Sequence, residues 1–214
     1  MPRKYLNTSG LERVWSKSKA IFATKRYVDD VAKEILSVSF HGVYCGAGVD
    51  PVPLFSGITV SRMWIDGIRV TPIAEYTFND YDFHDVWMRI DGAEIANPAF
   101  AGCNGAVVSA ITGGFIREIG DSAFDGNLTL ETVVLHAGIE GIKNNAFRDC
   151  LNLKQFVIMS STPPDVGIDA FSNIGNPSIL YVPTDAVSAY SNAGWGSYFS
   201  DIQSVDKWRE LNLE

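Results

Sequence analysis

Ile119-Gly120-Asp121-Ser122-Ala123-Phe124 returns 23 residues later as Ile142-Lys143-Asn144-Asn145-Ala146-Phe147. The shared Ala-Phe pair also stands at Ala99-Phe100 and Ala170-Phe171, giving steps of 24, 23 and 24 residues. A degenerate copy, Thr77-Phe78, precedes them by 22 residues. Five residues before each Phe sits an aliphatic: Ile73, Ile95, Ile119, Ile142 and Val166. Three residues after it, in the middle copies, come Cys103, Asn127 and Cys150. Two copies then continue as Leu130-Glu131-Thr132-Val133-Val134-Leu135 and Leu153-Lys154-Gln155-Phe156-Val157-Ile158. Both read L-x-x-φ-x-φ, with φ apolar.

A unit of about 23 residues is too small to bury its own apolar face, so a fixed period of this length marks a stacked repeat architecture. The expected fold class is mainly β (α+β): a short leucine-rich-repeat solenoid of about five repeats of 22–24 residues, spanning residues 71–183. The L-x-x-φ-x-φ segments are expected to be short parallel strands. Phe100, Phe124, Phe147 and Phe171 would form one internal ladder, and Leu130 and Leu153 a second. In the second repeat, Ala106 to Ile111, a clean Leu ladder is missing. At ~4.8 Å per stacked strand, Cys103 and Cys150 would lie ~10 Å apart, too far for a disulfide.

These motifs resemble the BspA-type leucine-rich repeats of gut-bacterial surface proteins, whose pattern runs like I-G-x-x-A-F-x-x-C-x-x-L-x-x-V-x-I. The segments that carry the likeness are Ile119 to Phe124 and Asn145 to Leu153. The later stretch Ser161-Thr162-Pro163-Pro164, Asp169-Ala170-Phe171, Leu180-Tyr181-Val182-Pro183, Ala189-Tyr190, Gly194-Trp195 and Ile202-Gln203 is similar to that family's closing unit. The resemblance spans about residues 65–206. It implies that the Asn/Cys column meets backbone groups inside each turn.

The last repeat would otherwise end on a bare ladder, so an atypical end unit is expected over residues 184–214. Asp185 to Tyr190 can make a short helix. Trp195, Tyr198, Phe199 and Ile202 can then cover Phe171. At the other end, residues 37–70 alternate apolar and polar and are rich in Gly and Pro. There Met63-Trp64-Ile65-Asp66-Gly67-Ile68-Arg69-Val70 reads as two strands around an Asp-Gly turn. A small β segment capping the first repeat is expected.

The 214 residues are 46% hydrophobic and 20% charged, which excludes a disordered chain. No run approaches the ~18 apolar residues of a membrane span. The first residues carry basic charge but no apolar stretch of the kind a secretory signal needs, so none is expected. Net charge is −8, which argues against nucleic acid as the partner. The charge is unevenly placed: residues 1–36 hold eight basic and four acidic residues, the rest nine and twenty-one. Cys45, Cys103 and Cys150 are an odd, sparse set with no CxxC pair, read as free buried thiols.

Residues 1–36 form a basic arm. Leu11, Val14, Ser18, Ile21, Lys25, Val28, Ala32 and Ile35 fall on alternating three- and four-residue steps, a heptad-like seam. Two arrangements satisfy it: amphipathic helix packed on the chain's own β segment, or an oligomerisation and docking seam built on Leu11, Val14, Ile21, Val28 and Ile35. Tyr5-Leu6, Gly10-Leu11, Trp15-Ser16-Lys17, Lys19-Ala20 and Ala23-Thr24-Lys25 with Tyr27-Val28-Asp29-Asp30 resemble the N-terminal segment of many bacteriophage fibre and tail-associated proteins. That resemblance implies an attaching N-terminus and a projecting C-terminal module.

No nucleophile elbow, zinc-protease helix, P-loop or dinucleotide fingerprint is present. His41, His84 and His136 lack metal-ligand spacing. Asp80, Asp82 and Asp85 lack the Gly on which a calcium loop turns. No enzyme activity, cofactor or metal is therefore expected. A binding face is: the residues between inward φ positions point outward. These are Thr132, Val134 and His136, then Gln155, Val157 and Met159, with Trp87 and Arg89 in the first repeat. A register shifted by one would place Trp87 in the core instead.

The functional expectation is a non-enzymatic bacteriophage virion structural protein, of head or tail fibre or decoration type. Its arm would dock on capsid or tail proteins as a homo-oligomer, with a trimer favoured. Its repeats would hold host-surface protein or glycan, without nucleic acid or membrane insertion. The alternatives are a bacterial cell-surface BspA-like adhesin and an intracellular protein-interaction scaffold.

Overall fold

The computed structural model describes residues 38–44, 52–56, 58–66, 68–77, 83–92, 94–95, 109–112 and 116–213. The arm seam (Leu11, Val14, Ile21, Val28, Ile35), Phe78, Asp80, Asp82, Phe100, Cys45 and Cys103 lie outside the described residues. The described part is strand-rich with few helices. Its strands are β1 (Val38–Tyr44), β2 (Val52–Pro53), β3 (Val60–Ile65), β4 (Ile68–Val70), β5 (Glu75–Tyr76), β6 (Phe83–Ile90), β7 (Glu94–Ile95) and β8 (Ser109–Thr112). They continue as β9 (Glu118–Ile119), β10 (Thr132–Leu135), β11 (Gly141–Ile142), β12 (Gln155–Ile158), β13 (Asp165–Val166), β14 (Ile179–Val182) and β15 (Asp201–Ser204). Two helices follow the repeats, α1 (Val187–Asn192) and α2 (Val205–Leu213).

The period becomes three-dimensional through parallel pairing. β8, β10, β12, β14 and β15 lie side by side in one sheet, with Ser109 opposite Thr132, Thr132 opposite Gln155, Gln155 opposite Ile179, and Ile179 opposite Asp201. β7, β9, β11 and β13 form a second parallel sheet, in which Ile95, Ile119, Ile142 and Val166 are direct partners. The degenerate second repeat thus keeps its strand, because parallel hydrogen bonding needs no particular side chain.

Between the sheets run the expected ladders. The Phe124 and Phe147 rings stack at 5.1 Å, and those of Phe147 and Phe171 at 5.7 Å. Leu130 and Leu153 are fully buried, as are Val133, Phe156 and Leu180 on the inward side of the strands. Ala123, Ala146 and Ala170, each just before a Phe, are also fully buried, which accounts for the recurrence of the dipeptide there. Asn127 Nδ2 and Cys150 Sγ both donate to the Phe124 carbonyl, each at 3.3 Å, so the column does meet backbone inside the turn. Burial pushes the Cys150 thiol up to about 12.

Each turn uses two left-handed residues, two before and two after its Phe. They are Ser122 and Gly126, Asn145 and Asp149, Asp169 and Asn173. Small polar residues and Gly are the types that tolerate this conformation. Coils are also cross-linked at the surface. Arg117 pairs with Glu140, Lys143 with Glu118, Arg148 with Asp125 and Lys154 with Glu131. Every one of these ion pairs joins neighbouring units.

The N-terminal half corrects the expectation. The β segment does not simply cap the stack but extends the large sheet, whose order is β15-β14-β12-β10-β8-β1-β6-β3-β4. β1 is antiparallel to both β8 and β6, so it separates the first repeat's strand from the second's. Ile73 is 39% exposed and belongs to no ladder. Alternation specifies which face a residue takes, not which strand lies alongside it. The Asp-Gly hairpin is as expected, with Ile65 opposite Ile68 and Trp64 opposite Arg69.

At the C-terminal end, Trp195, Tyr198 and Phe199 all contact the Phe171 ring, at 5.7, 5.4 and 5.0 Å. α1 places Tyr190 in the core, where its hydroxyl donates to the Ser160 carbonyl at 3.0 Å. Ile202 does more than cover the rung: it lies in β15, which adds a further parallel strand before the chain turns into α2.

Candidate functional site

Residues directly opposite one another in a sheet share a face. Met63, Ile65, Val86, Met88 and Ile90 are buried in the main core, so their strand neighbours Trp64, Trp87 and Arg89 lie on the other face. In the register of the sheet Trp64, Trp87, Ser39, Ile111, Val134, Val157, Tyr181 and Gln203 form one row, each the partner of the next.

The two ends of the row differ. At the C-terminal end, α2 folds back onto the sheet. Two of its apolar residues, Val205 and Trp208, one turn apart, are buried with Val134, Val157 and Tyr181 in a separate small cluster, while Leu211 is exposed. Met159 and Ile179 pack at its edge. The Trp208 indole N–H donates to Gln155 Oε1 at 3.0 Å, and Thr184 Oγ1 donates to Asp206 Oδ2 at 2.6 Å. Burial pushes the Tyr181 phenol up.

The expected binding residues therefore divide. Val134 and Val157 point away from the main core, but they are buried, at 7% and 0% exposure, and are not available to a partner. Gln155 is held by Trp208. Thr132, His136 and Met159 are half-buried. The sequence signal for the cover was the apolar pair Val205 and Trp208 at helical spacing.

At the N-terminal end, Trp87 and Arg89 are half-buried on the outer face, not in the core. They are joined by residues of the Asp-Gly hairpin. Trp64 is the direct partner of Trp87, Arg62 of Arg89, and Arg69 of Trp64. An irregularity in the β3–β6 register at Ser61, whose hydroxyl donates to the Arg89 carbonyl at 3.2 Å, sets Arg62 opposite Arg89. Trp64 is half-buried, and Arg62 and Arg69 are exposed. The signal that could have found them was alternation: Trp64 and Arg69 interrupt the apolar phase of Met63, Ile65 and Val70.

Among the described residues no group of three or more His, Cys, Asp or Glu could hold a metal ion. No helix among them is long and apolar enough to cross a membrane. What the outer face offers is recognition chemistry, two indoles and three guanidiniums side by side, of the residue types that dominate binding hot spots.

Parallel strands spaced by one repeat, a stacked Phe ladder and an Asn/Cys column define a leucine-rich-repeat protein. The chain belongs to the BspA-type leucine-rich repeat family: residues 68–195 match the family's repeat region in six copies. No curated protein matches the chain.

Proposed function

We propose that this chain is a non-enzymatic binding protein. In this reading its repeats form a short solenoid, and the outer sheet face at Trp64, Trp87, Arg62, Arg69 and Arg89 holds a host-surface partner. The observation that carries it is the paired Trp/Arg surface on a sheet whose other face is closed against the core. Membership of the BspA-type repeat family supports a surface adhesin or interaction module. We further propose that residues 1–36 dock the protein on a bacteriophage particle as a trimer, a reading supported by the basic heptad seam and by the resemblance to fibre and tail-associated proteins. Presentation in several copies would raise avidity well above the affinity of one module.

Three measurements test this reading. Labelled full-length protein should bind host bacteria, and Trp87→Ala should reduce binding; unchanged binding removes the face from the proposal. Light scattering of the full chain and of a chain lacking residues 1–36 should give an oligomer and a smaller species; two monomers would refute the seam. Immunogold labelling should decorate phage particles; gold confined to the bacterial envelope would favour the cell-surface adhesin.

A further inference from the structure

We propose that the Trp64–Trp87–Arg62–Arg69 surface is a subsite for an acidic sugar, a pyranose bearing a carboxylate, within a surface glycan. The inference deepens the proposed function and rests on its premise that this face is the one presented.

The first ground is shape. Trp64 and Trp87 are opposite partners on neighbouring strands, half-buried at their base by the sheet. Side chains so paired stand ~5 Å apart at Cβ, and an indole face is an apolar platform suited to the C–H face of a sugar ring. β3 and β6 are interior strands, flanked by β4 and β1. Their backbone groups are engaged on both sides, so an extended peptide cannot add to them as a further strand.

The second ground is charge. Residues 37–214 hold nine basic against twenty-one acidic residues. Arg117, Lys143, Arg148, Lys154 and Arg209 each have an acidic partner. Arg62 and Arg69, by contrast, are exposed and make no ion pair among the described residues. Arg62 is moreover set directly opposite Arg89. A bound carboxylate would supply the acidic partner that Arg62 and Arg69 lack among the described residues. Guanidinium offers it two parallel N–H donors. Two residues along a strand cover ~6.8 Å, which sets Arg62 beside the platform, where a ring substituent would reach. The chain's own arm is an unsuitable occupant, since residues 1–36 hold eight basic and four acidic residues and would be repelled.

The test is calorimetric titration of the full chain with polygalacturonate, its methyl-esterified neutral form and poly-L-glutamate. Polygalacturonate should bind, weaken as salt rises, and quench tryptophan fluorescence. The methyl ester should bind at least tenfold more weakly. The exposed double variant R62Q/R69Q should melt like the parent yet lose at least tenfold in affinity, and Trp64→Leu, which keeps an apolar side chain there, should lose the quenching. Polyglutamate binding as tightly, the double variant binding unchanged, or no acidic polymer binding would each overturn the subsite. If R62Q/R69Q still adheres to host cells like the parent, the acidic-sugar subsite fails while the display reading stands; if the parent itself does not adhere, the display reading fails.

Discussion

Phe147→Ala is the sharpest test of the repeat register. The Phe147 ring is fully buried. It stacks on Phe124 at 5.1 Å and on Phe171 at 5.7 Å, and meets Phe156 edge-on at 5.0 Å. Truncating a buried Phe costs about 3–5 kcal/mol. Aromatic pairs add ~0.5–1.5 kcal/mol each beyond burial, and three are lost together. Phe124 and Phe171 are kept apart by backbone bonds between neighbouring units, Phe124 N–H to the Ala146 carbonyl and Phe147 N–H to the Ala170 carbonyl, both at 2.8 Å, which do not depend on the Phe147 side chain. They cannot slide into the gap, so the loss should fall at the upper end, about 4–5 kcal/mol. With a urea m-value of ~2 kcal/mol/M the denaturation midpoint should drop by about 2 M. Far-UV circular dichroism and tryptophan fluorescence should report the same shift. Phe147→Leu keeps most of the volume and should lose about 1.5 kcal/mol. Leu151→Ala, at a site 47% exposed, should change stability by no more than about 0.5 kcal/mol. A Phe147→Ala loss below about 1 kcal/mol, or one equal to that of Leu151→Ala, would refute the ladder.

Three further outcomes are expected. A Cβ on Gly175 would clash with the Leu153 carbonyl oxygen, whereas one on Gly196 would meet nothing within 4 Å; Gly175→Ala should therefore cost ~1–3 kcal/mol, and Gly196→Ala should melt like the parent. Cys150 holds its proton up to about 12 in the folded chain, against ~8.5 unfolded. Stability is thus undiminished by this group below the unfolded value and falls as pH rises toward the folded one, by about 2 kcal/mol at pH 10, a loss that Cys150→Ala should remove; peptide mapping after native iodoacetamide treatment at pH 8 should find Cys150 unmodified. Trp208→Ala removes the anchor of α2, so trypsin should cut at Lys207 and Arg209 many-fold faster while the ladder core melts nearly as before; unchanged cleavage would show that the helix is held by something else.

Much of the body was legible because its information is local and repeated. The spacing of Phe124, Phe147 and Phe171 is the spacing of coils, so equivalent residues must meet once the coils stack. Asn127 and Cys150 were readable for the same reason, since the turn that surrounds them recurs. The Asp66-Gly67 turn fixed its hairpin by itself. The candidate site was only half legible. Trp87 and Arg89 were found by alternation, but Arg62, Trp64 and Arg69 are contributed by a separate hairpin. Its pairing partner, β6, begins thirteen residues beyond the end of β4. A single strand's alternation carries no information about such a neighbour.

The amino-acid sequence by itself determined the period, the inward ladders, the turn chemistry and the aromatic closure at Trp195, Tyr198 and Phe199. All follow from side-chain types at a fixed interval. Only the tertiary structure decided that β1 inserts between β6 and β8, that Ile73 is no rung, and that α2 returns to bury Val134 and Val157. Each is a choice of non-local partner among strands and helices that the local pattern would equally allow. Alternation assigns two faces to a strand. Which face is left to solvent depends on what else the chain has to lay upon it.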